Sequence, residues 1–313
     1  MKYRTLGSTG LKVSEVGFGA WAIGGNAHGN SYGPTEDEAS IAAIEKAVEL
    51  GCNFFDTADV YGHGHSEELL GKALKDQRED MILATKVGGD FYHGQPRMNF
   101  NPDYVEFAVE KSLERLGTDY VDLLQMHNPP LQLIQNPKLY LPFEKLKKHG
   151  KIRHYGLSIH NPQEGLAAMK HGGPESIQVV FNLMRQEAKE KLFESAGERS
   201  VGIIAREPLA NGFLSGKYNE DSVFPTGDIR HNFPQEYVRQ LIRTSDQLKF
   251  LESKQRTLSQ ASIRFVLDHK EISTVIPGAK VPAQSTQNMK ASNLPSLTGE
   301  ELLRIKFMRE QAS

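Results

Sequence analysis

Four side chains that can hold, transfer or attract protons follow short apolar runs of this sequence. Asp56, Tyr61, Lys86 and His127 lie at, or just beyond, the ends of three such runs, and helical patterns separate the runs. In a closed parallel sheet, the carboxyl ends of the strands meet on one face, and catalytic side chains come from several of them. The spacing therefore predicts that the four side chains share one site.

Together these residue types have the chemistry needed to reduce a carbonyl group. A tyrosine has an ordinary pKa of about 10, and a lysine ammonium about 4 Å away is expected to lower it by up to roughly 3 units. Asp56 beside Lys86 is expected to keep the amine charged. His127 can donate a hydrogen bond to the substrate carbonyl. This set provides a general acid and a polarising group, so the hydride must come from a cofactor.

Each of the four residues also has an ordinary structural explanation when it is taken alone. Asp56 can cap a helix, Tyr61 can pack in the core, Lys86 can lie on the surface, and His127 can be a hydrogen-bonded core histidine. Their joint placement at successive strand ends is what favours the catalytic interpretation.

The composition is that of a globular protein without a polyanionic partner. The chain has 313 residues, of which 38% are hydrophobic and 24% charged, with a net charge of −2, so neither nucleic-acid binding nor an anionic membrane surface is indicated. No apolar run approaches the roughly 18 residues of a membrane span. Cys52 is the single cysteine, which excludes an intrachain disulfide and favours a reducing compartment. Together with a start that lacks the apolar core of a secretory signal, this predicts a soluble cytoplasmic protein. The oligomeric state stays open.

The alternation of strand and helix patterns predicts an α/β fold, a (β/α)8 TIM barrel that forms a single domain over residues 1–313. Such barrels usually have about 250 residues, which leaves room for an N-terminal β-hairpin and extra C-terminal helices. The eight predicted strands are Glu15–Phe18, Asn53–Asp56, Met81–Lys86, Val121–Met126, Ile152–Ser158, Ile177–Phe181, Val201–Ala205 and Ser273–Ile276.

An open, doubly wound sheet is the alternative fold. Its glycine-rich dinucleotide turn is matched in part by residues 17–22, which read Gly-Phe-Gly-Ala-Trp-Ala. That fingerprint should open a helix at once, whereas residues 23–30 read as loop. The barrel is therefore preferred.

Local signals place several further elements. The segments 3–6 and 11–14 flank a Gly-Ser-Thr-Gly turn and predict a hairpin that plugs the bottom of the barrel. Capping boxes are predicted at Thr35 with Glu38 and at Thr257 with Gln260. Residues 206–233, here called the cover segment, form the longest irregular stretch and are predicted to cover a cofactor or substrate.

The chain resembles the aldo-keto reductase family. The match rests on residues 55–62 (Phe-Asp-Thr-Ala-Asp-Val-Tyr-Gly), 66–74 (Ser-Glu-Glu-Leu-Leu-Gly-Lys-Ala-Leu), 84–87 (Ala-Thr-Lys-Val) and 125–127 (Gln-Met-His). The resemblance implies a barrel of eight units that reduces small carbonyl substrates with a nicotinamide cofactor, usually NADPH. It also implies that Tyr61 is the proton donor, that Lys86 and Asp56 tune it, and that His127 positions the carbonyl.

The same resemblance implies where the cofactor lies. Gly19, Ala20 and Trp21 correspond to the loop near the nicotinamide, Ser158 and Gln178 to the carboxamide positions, and Lys280 to the position expected to bind the 2′-phosphate of NADPH. The full set of implied cofactor residues is Gly19, Ala20, Trp21, Ser158, Gln178, Arg206, Pro208, Leu209, Gly212, Leu214, Gly216, Lys217, Pro277, Gly278, Lys280, Gln284 and Asn288.

Three positions depart from the family pattern. Ile159 stands where many relatives have an asparagine that binds the carboxamide, so His160 or Asn161 is considered as its replacement. Arg206 stands where many relatives stack a tyrosine on the nicotinamide, and a guanidinium plane can also stack. Gln284 stands where many strictly NADPH-dependent relatives have arginine, so NADPH is predicted and NADH is the alternative.

Other functions are weighed beside this one. His63 and His65, with His127 and His160, suggest a metal-dependent hydrolase, although the prediction is that no metal binds. Lys86 suggests a Schiff-base aldolase. A cofactor-sensing subunit with little turnover, as in the potassium-channel β-subunits of the family, is the third alternative.

Overall fold

The computed structural model describes residues 1–29, 31–171 and 173–312. Eight parallel strands form its main sheet, and every strand neighbours the next barrel strand along the chain. In chain order, all strands are β1 (Tyr3–Thr5), β2 (Lys12–Ser14), β3 (Phe18–Gly19), β4 (Phe54–Asp56), β5 (Ile82–Val87), β6 (Gly89–Asp90), β7 (Arg97–Met98), β8 (Val121–His127), β9 (Ile152–Ser158), β10 (Ser176–Val180), β11 (Gly202–Arg206) and β12 (Ile272–Val275).

The first and last strands of the main sheet meet and close it. Val16 bridges Val275 and Gly19 bridges Gly278, both in parallel. The Gly17 amide donates to the Val275 carbonyl at 2.8 Å. The predicted (β/α)8 barrel is therefore confirmed, and the open sheet is wrong. The regular part of the first strand, Phe18–Gly19, is shorter than the predicted Glu15–Phe18. Before Phe18, Val16 pairs across this seam as an isolated bridge.

Helices occupy the connections between the strands. They are α1 (Asp37–Glu49), α2 (His65–Leu74), α3 (Pro102–Leu116), α4 (Leu131–Ile134), α5 (Leu141–Lys148), α6 (Pro162–His171), α7 (Leu192–Glu198), α8 (Gln235–Gln247), α9 (Leu258–Leu267), α10 (Pro282–Lys290) and α11 (Gly299–Ala312). After β3 the chain makes one short 3-10 turn, Ala20–Gly24, and α1 begins much later. A dinucleotide turn that opens a helix directly is therefore not formed. Asn30, which belongs to the predicted loop, lies outside the described residues.

One of the two predicted capping boxes is formed. The Thr257 hydroxyl accepts from the Gln260 amide, and the Gln260 side chain accepts from the Thr257 amide, at the start of α9. The box predicted at Thr35 is wrong, because α1 begins at Asp37 and has no side-chain cap. The Thr35 hydroxyl instead faces the Ile23 carbonyl.

The N-terminal hairpin of β1 and β2 closes the bottom of the barrel, as predicted. Leu6 and Val13 are fully buried and pack with barrel-lining side chains such as Phe54 and Ile204. The Arg4 guanidinium binds the carbonyls of Leu267, His269 and Ile272 at 2.6–3.2 Å. The start of the chain is thereby fastened to the last barrel unit.

The larger core lies between the strands and the surrounding helices. Cys52 belongs to it and is buried, and this burial raises the pKa of its thiol to about 12. Within residues 1–29, 31–171 and 173–312, no helix has both the length and the apolar character needed to cross a membrane.

Candidate active site

The strand ends bring the four predicted catalytic residues together. Asp56 ends β4, Lys86 lies one residue before the end of β5, and His127 ends β8. Tyr61 lies in the turn between β4 and α2. β4 pairs with β5, and β5 pairs with β8. The carboxyl ends of three adjacent strands therefore carry these side chains, as the spacing predicted.

Lys86 is the centre of this cluster. Its side chain is completely buried, and its Nζ contacts Asp56 Oδ1 at 2.5 Å, the Thr57 carbonyl at 2.9 Å and the Tyr61 hydroxyl at 3.2 Å. Burial lowers the pKa of Lys86, but the charge of Asp56 and the hydrogen bonds outweigh burial and raise it. The amine is therefore held as a charged ammonium that touches Tyr61.

The pKa of Tyr61 does not follow the sequence-based expectation. Burial raises the pKa of its hydroxyl and outweighs the lowering by the Lys86 charge, while the Asp56 carboxylate raises it further. The expected net lowering by Lys86 is therefore wrong for this pocket. Tyr61 keeps its proton at neutral pH, and Lys86 reduces the cost of losing it.

His127 is held as a neutral imidazole. Its pKa lies well below the ordinary value because of burial first, and then because of the positive charges of Lys86 and Arg206 and the neighbouring His160. Its ring lies edge-on to the Tyr61 ring, with the centroids 5.8 Å apart. A neutral imidazole has one N–H to donate, which is what polarising a carbonyl requires.

Two glutamine side chains fix the second oxygen of Asp56. Gln125 and Gln178 each donate an amide N–H to Asp56 Oδ2, at 3.0 and 2.7 Å. Gln178 was predicted as a carboxamide ligand, whereas Gln125 had no predicted role. The sequence did contain a signal for Gln125. It lies two residues before His127 on the same strand, so both side chains point to the same face of the sheet.

A cavity at this cluster is also lined by residues at and beyond the carboxyl ends of other strands, such as Arg206 and Ile276. Its volume is about 610 Å³, and Tyr61 and His127 line one part of it. The implied cofactor residues that line it are Gly19, Ala20, Trp21, Gln178, Arg206, Pro208, Leu209, Gly212, Lys217, Pro277, Gly278, Lys280, Gln284 and Asn288. Ser158, Leu214 and Gly216 are not among the lining residues; Ser158 ends β9, and Leu214 is fully buried.

The cavity wall also contains polar residues that sequence reasoning missed. The cover segment contributes Asn211, Tyr218 and Arg230, and the loop after β3 contributes Tyr32. Arg230 forms a buried ion pair with Asp228 at 2.5 Å. The sequence predicted the covering role of the cover segment as a whole. It does not show which residues of the segment reach the cavity, because the approach of an irregular segment depends on the whole barrel.

The position of Ile159 receives no substitute from the two residues after it. Ile159 is fully buried, and its carbonyl accepts from Arg206 at 3.1 Å. The amides of His160 and Asn161 both donate to Glu164, and neither residue lines the cavity. The proposed compensation by these two residues is therefore not formed.

Asn128 provides an acceptor near this position instead. Its amide donates to the Ser158 carbonyl at 2.9 Å, its φ is 56°, and it lines the cavity. Its side-chain oxygen is buried and has no hydrogen-bond partner among the described residues. A buried acceptor of this kind costs about 1–3 kcal/mol unless a donor reaches it.

Arg206 faces the cavity but is already held by its neighbours. It forms an ion pair with Glu207 and donates to the Ile159 carbonyl, while its Nε has no partner among the described residues. The guanidinium is thus fixed at the end of β11. This is the position at which the family resemblance implied a side chain that stacks on the nicotinamide.

At the far end of the cavity, Lys280 is bound to the protein backbone. Its Nζ donates to the carbonyls of Tyr32, Gly33 and Pro34 at 2.7, 3.3 and 3.2 Å. The Lys280 amide donates to the Gln284 side chain at 2.7 Å. Lys280 lines the cavity, and its ammonium already has three acceptors.

The histidines that suggested a metal site have separate partners. His65 bonds to Asp37 and Glu68, while His63 stacks between His28 and Phe91, with centroids 4.0 and 4.5 Å away. Among the residues that the structure describes, no group of three or more His, Cys, Asp or Glu side chains is placed to share a metal ion.

Comparison with known proteins decides the family. The family model described as "Aldo/keto reductase family" matches residues 15–310. The chain belongs to the aldo-keto reductase family. It is 32% identical to "Uncharacterized oxidoreductase YqkF" of Bacillus subtilis, over 99% of this chain and 97% of that protein.

Solved structures of aldo-keto reductases share the fold over nearly their whole length. The holo form of aldo-keto reductase AKR11C1 from Bacillus halodurans aligns with a TM-score of 0.80 at 32% identity, covering 98% of this chain and 96% of that one. Glycerol dehydrogenase AKR11B4 from Gluconobacter oxydans aligns with a TM-score of 0.83 at 28% identity, covering 99% and 95%. This aldo-keto reductase is therefore an oxidoreductase that depends on a nicotinamide cofactor, NADH or NADPH.

Proposed function

We propose that this aldo-keto reductase uses NADPH to reduce the carbonyl of a small aldehyde or ketone to an alcohol, with Tyr61 as the proton donor. The observation that carries the proposal is the contact between the Tyr61 hydroxyl and the buried Lys86 ammonium, in a cavity that His127 also lines. NADH is the alternative cofactor, and the cytoplasmic location stays a prediction.

The cavity fits a dinucleotide better than a small carbonyl compound alone. It extends from Tyr61 to Gln284 and Asn288, and the cationic side chains of Lys217, Arg230 and Lys280 line it. Cations suit the phosphate groups of such a cofactor. Gly212, at φ 87°, lets the backbone of the cover segment approach closely without a side chain. We assign the cofactor to the implied residues given above, with Ser158, Leu214 and Gly216 as supporting positions.

The protein side chains then divide the work at the substrate carbonyl. When it is bound, the nicotinamide supplies the hydride that reduces the carbonyl carbon. His127 donates a hydrogen bond to the carbonyl oxygen and orients it. Tyr61 gives its proton to the same oxygen as negative charge develops there, and the Lys86 ammonium stabilises the resulting phenolate. Asp56, fixed by Gln125 and Gln178, keeps Lys86 charged throughout.

The same contacts oppose a Schiff-base mechanism. Such a mechanism needs a neutral lysine amine that is free to attack a carbonyl. The Lys86 amine is charged, fully buried and hydrogen-bonded to three oxygen atoms. An electrostatic role beside Tyr61 fits these contacts.

The test replaces the tyrosine hydroxyl alone. Tyr61→Phe is expected to lose a factor of about 10²–10⁴ in kcat, the usual contribution of a general acid, while NADPH binding measured by fluorescence titration stays within about threefold. Tyr140→Phe is the matched control, because it removes a buried hydroxyl that donates to the Ile134 carbonyl outside the cavity lining. Its kcat should match that of the wild type.

Three outcomes separate the functions. Wild-type kcat in Tyr61→Phe would remove Tyr61 as the acid. Failure of the wild type to bind either cofactor would refute the proposed function. Tight NADPH binding with very slow turnover of a broad panel of aldehydes, ketones and sugars would favour the cofactor-sensing alternative.

A further inference from the structure

The Lys280 side chain binds a segment that lies 246–248 positions earlier in the chain. Its ammonium donates to the carbonyls of Tyr32, Gly33 and Pro34. A lysine ammonium has three N–H groups, so these three acceptors use its entire capacity. Residues 31–34 are here called the strap, and Lys280 binds three of its four carbonyl groups at the adenosine end of the cavity.

The strap also touches the cover segment. The Ser31 carbonyl accepts from the Ile229 amide at 2.8 Å, and the Tyr32 hydroxyl donates to the Asn211 side chain at 2.7 Å. The Arg230 guanidinium lies 4.8 Å from the centre of the Tyr32 ring. Tyr32, Asn211 and Arg230 all line the cavity. The strap and the cover segment thus meet across its wall.

The strap is linked to the catalytic end as well. The Tyr32 ring meets the Trp21 ring edge-on, with centroids 4.7 Å apart, and the Trp21 ring lies 6.3 Å from that of Tyr61. The position of the strap therefore bears on both ends of the cofactor cavity.

We propose that the Lys280 ammonium is a latch that keeps the strap closed, and that the 2′-phosphate of NADPH competes for it with the strap carbonyls. This inference rests on the proposed function, because it assumes that the cavity binds the cofactor. NADH has a hydroxyl group at the same position, so it leaves the latch in place. A 2′-phosphate must take at least one N–H from a carbonyl, since all three are engaged.

The charges around Lys280 are consistent with this competition. Burial lowers the pKa of Lys280, and the cations of Arg230 and Lys217 lower it further against the opposing charge of Asp228. An ammonium crowded by cations favours an anionic partner over neutral carbonyl groups. NADPH therefore gains an ion pair at the expense of the contacts that close the strap.

The decisive experiment measures the release of both cofactors. In Lys280→Met, NADH is expected to dissociate faster by about tenfold or more, which is the loss expected for hydrogen bonds from a charged group. Because NADH has no 2′-phosphate, this effect can only come from the loss of the latch. NADPH affinity should fall by a similar factor, so the ratio of the two Kd values should change by less than about threefold. Stopped-flow fluorescence supplies the rates. Lys290→Met, which removes an equal charge from an exposed position at the end of α10, should change neither.

Two further measurements test the latch without relying on that variant. Tyr32→Phe removes the bond to Asn211 and should speed the release of NADH and NADPH alike. Amide hydrogen exchange of the wild type should be faster at Tyr32 and Gly33 with NADPH bound than with NADH bound.

The outcomes keep this inference separate from the proposed function. Weaker NADPH binding in Lys280→Met with unchanged NADH release would make Lys280 a phosphate ligand only and would overturn the latch. Equal strap exchange with the two cofactors would overturn the competition. Either result leaves the proposed reductase function standing, whereas a wild type that binds neither cofactor refutes both.

Discussion

Replacing Asp56 by asparagine tests the buried ion pair that sets the charge of the site. Lys86 and Asp56 are 0% and 2% exposed, with 2.5 Å between Nζ and Oδ1. Removing one partner of such a buried pair costs about 3–5 kcal/mol, because the other charge is left without compensation. We expect Asp56→Asn to lower the free energy of unfolding by this amount at pH 7, as measured by urea denaturation.

The same loss predicts a change with pH. Burial lowers the pKa of Lys86, and without the Asp56 charge this lowering is no longer outweighed. In the folded variant Lys86 should therefore lose its proton at a lower pH than in the unfolded state. Between these two pH values the unfolded state binds the extra proton, and stability therefore rises with pH. The difference in unfolding free energy between Asp56→Asn and the wild type should shrink between pH 7 and pH 10.

A matched control is the exposed pair of Lys111 and Glu114, whose side chains are 36% and 62% exposed. Glu114→Gln should cost less than about 1 kcal/mol at any pH, because surface ion pairs contribute little. A loss below about 1 kcal/mol for Asp56→Asn at pH 7, or a difference that widens towards pH 10, would refute the reasoning.

Two other carboxyl groups, those of Asp59 and Glu175, should make stability change with pH in opposite directions. Burial, and then the charge of Glu67, raise the pKa of Asp59 to about 8, although hydrogen bonds from the Gly88 and Gly89 amides lower it. Between about pH 4 and 8 the folded state therefore holds a proton that the unfolded state has released. The free energy of unfolding falls as pH rises through this range. Asp59→Asn should remove that fall, so the melting temperature of the variant should rise relative to that of the wild type between pH 5 and 8. A constant difference between the two melting temperatures over this range would contradict the assignment. Burial raises the pKa of Glu175, but hydrogen bonds, led by that from His154, outweigh it and lower the pKa to about 2. Glu175→Gln should therefore be less stable than the wild type above about pH 4.5 and equal to it near pH 2, and a constant difference in acid unfolding would count against the pair.

The positions of the catalytic groups were predictable because they depend on strand order alone. Once the strands are parallel and adjacent, Asp56, Lys86 and His127 must come to the same edge, whatever the packing details. The hairpin plug and the Thr257 cap were predictable for a similar reason, since local residue types determine a turn and a helix start. The Thr35 cap failed because α1 begins at Asp37, so that Glu36 and not Thr35 stands at the capping position.

The features that sequence reasoning missed depend on packing between distant segments. The pKa of Tyr61 depends on how completely the barrel mouth excludes water, and a pairwise estimate with Lys86 omits this burial. The three carbonyls around Lys280 come from the strap, more than two hundred residues earlier in the chain. The placement of the Asn128 side chain depends on a left-handed backbone conformation at this residue. Asparagine adopts this conformation more often than most residues do, but its presence in a sequence does not predict it.

The attachment of the hairpin to the final barrel unit has a consequence for synthesis. Arg4 and Leu267 are 263 positions apart, so the hairpin leaves the ribosome long before its binding partner is made. At roughly 5–20 residues per second, the nascent hairpin waits on the order of 10–50 s for this partner. Until the last strands are made, Leu6 and Val13 lack the part of their apolar cover that Ile204 and Ile276 provide.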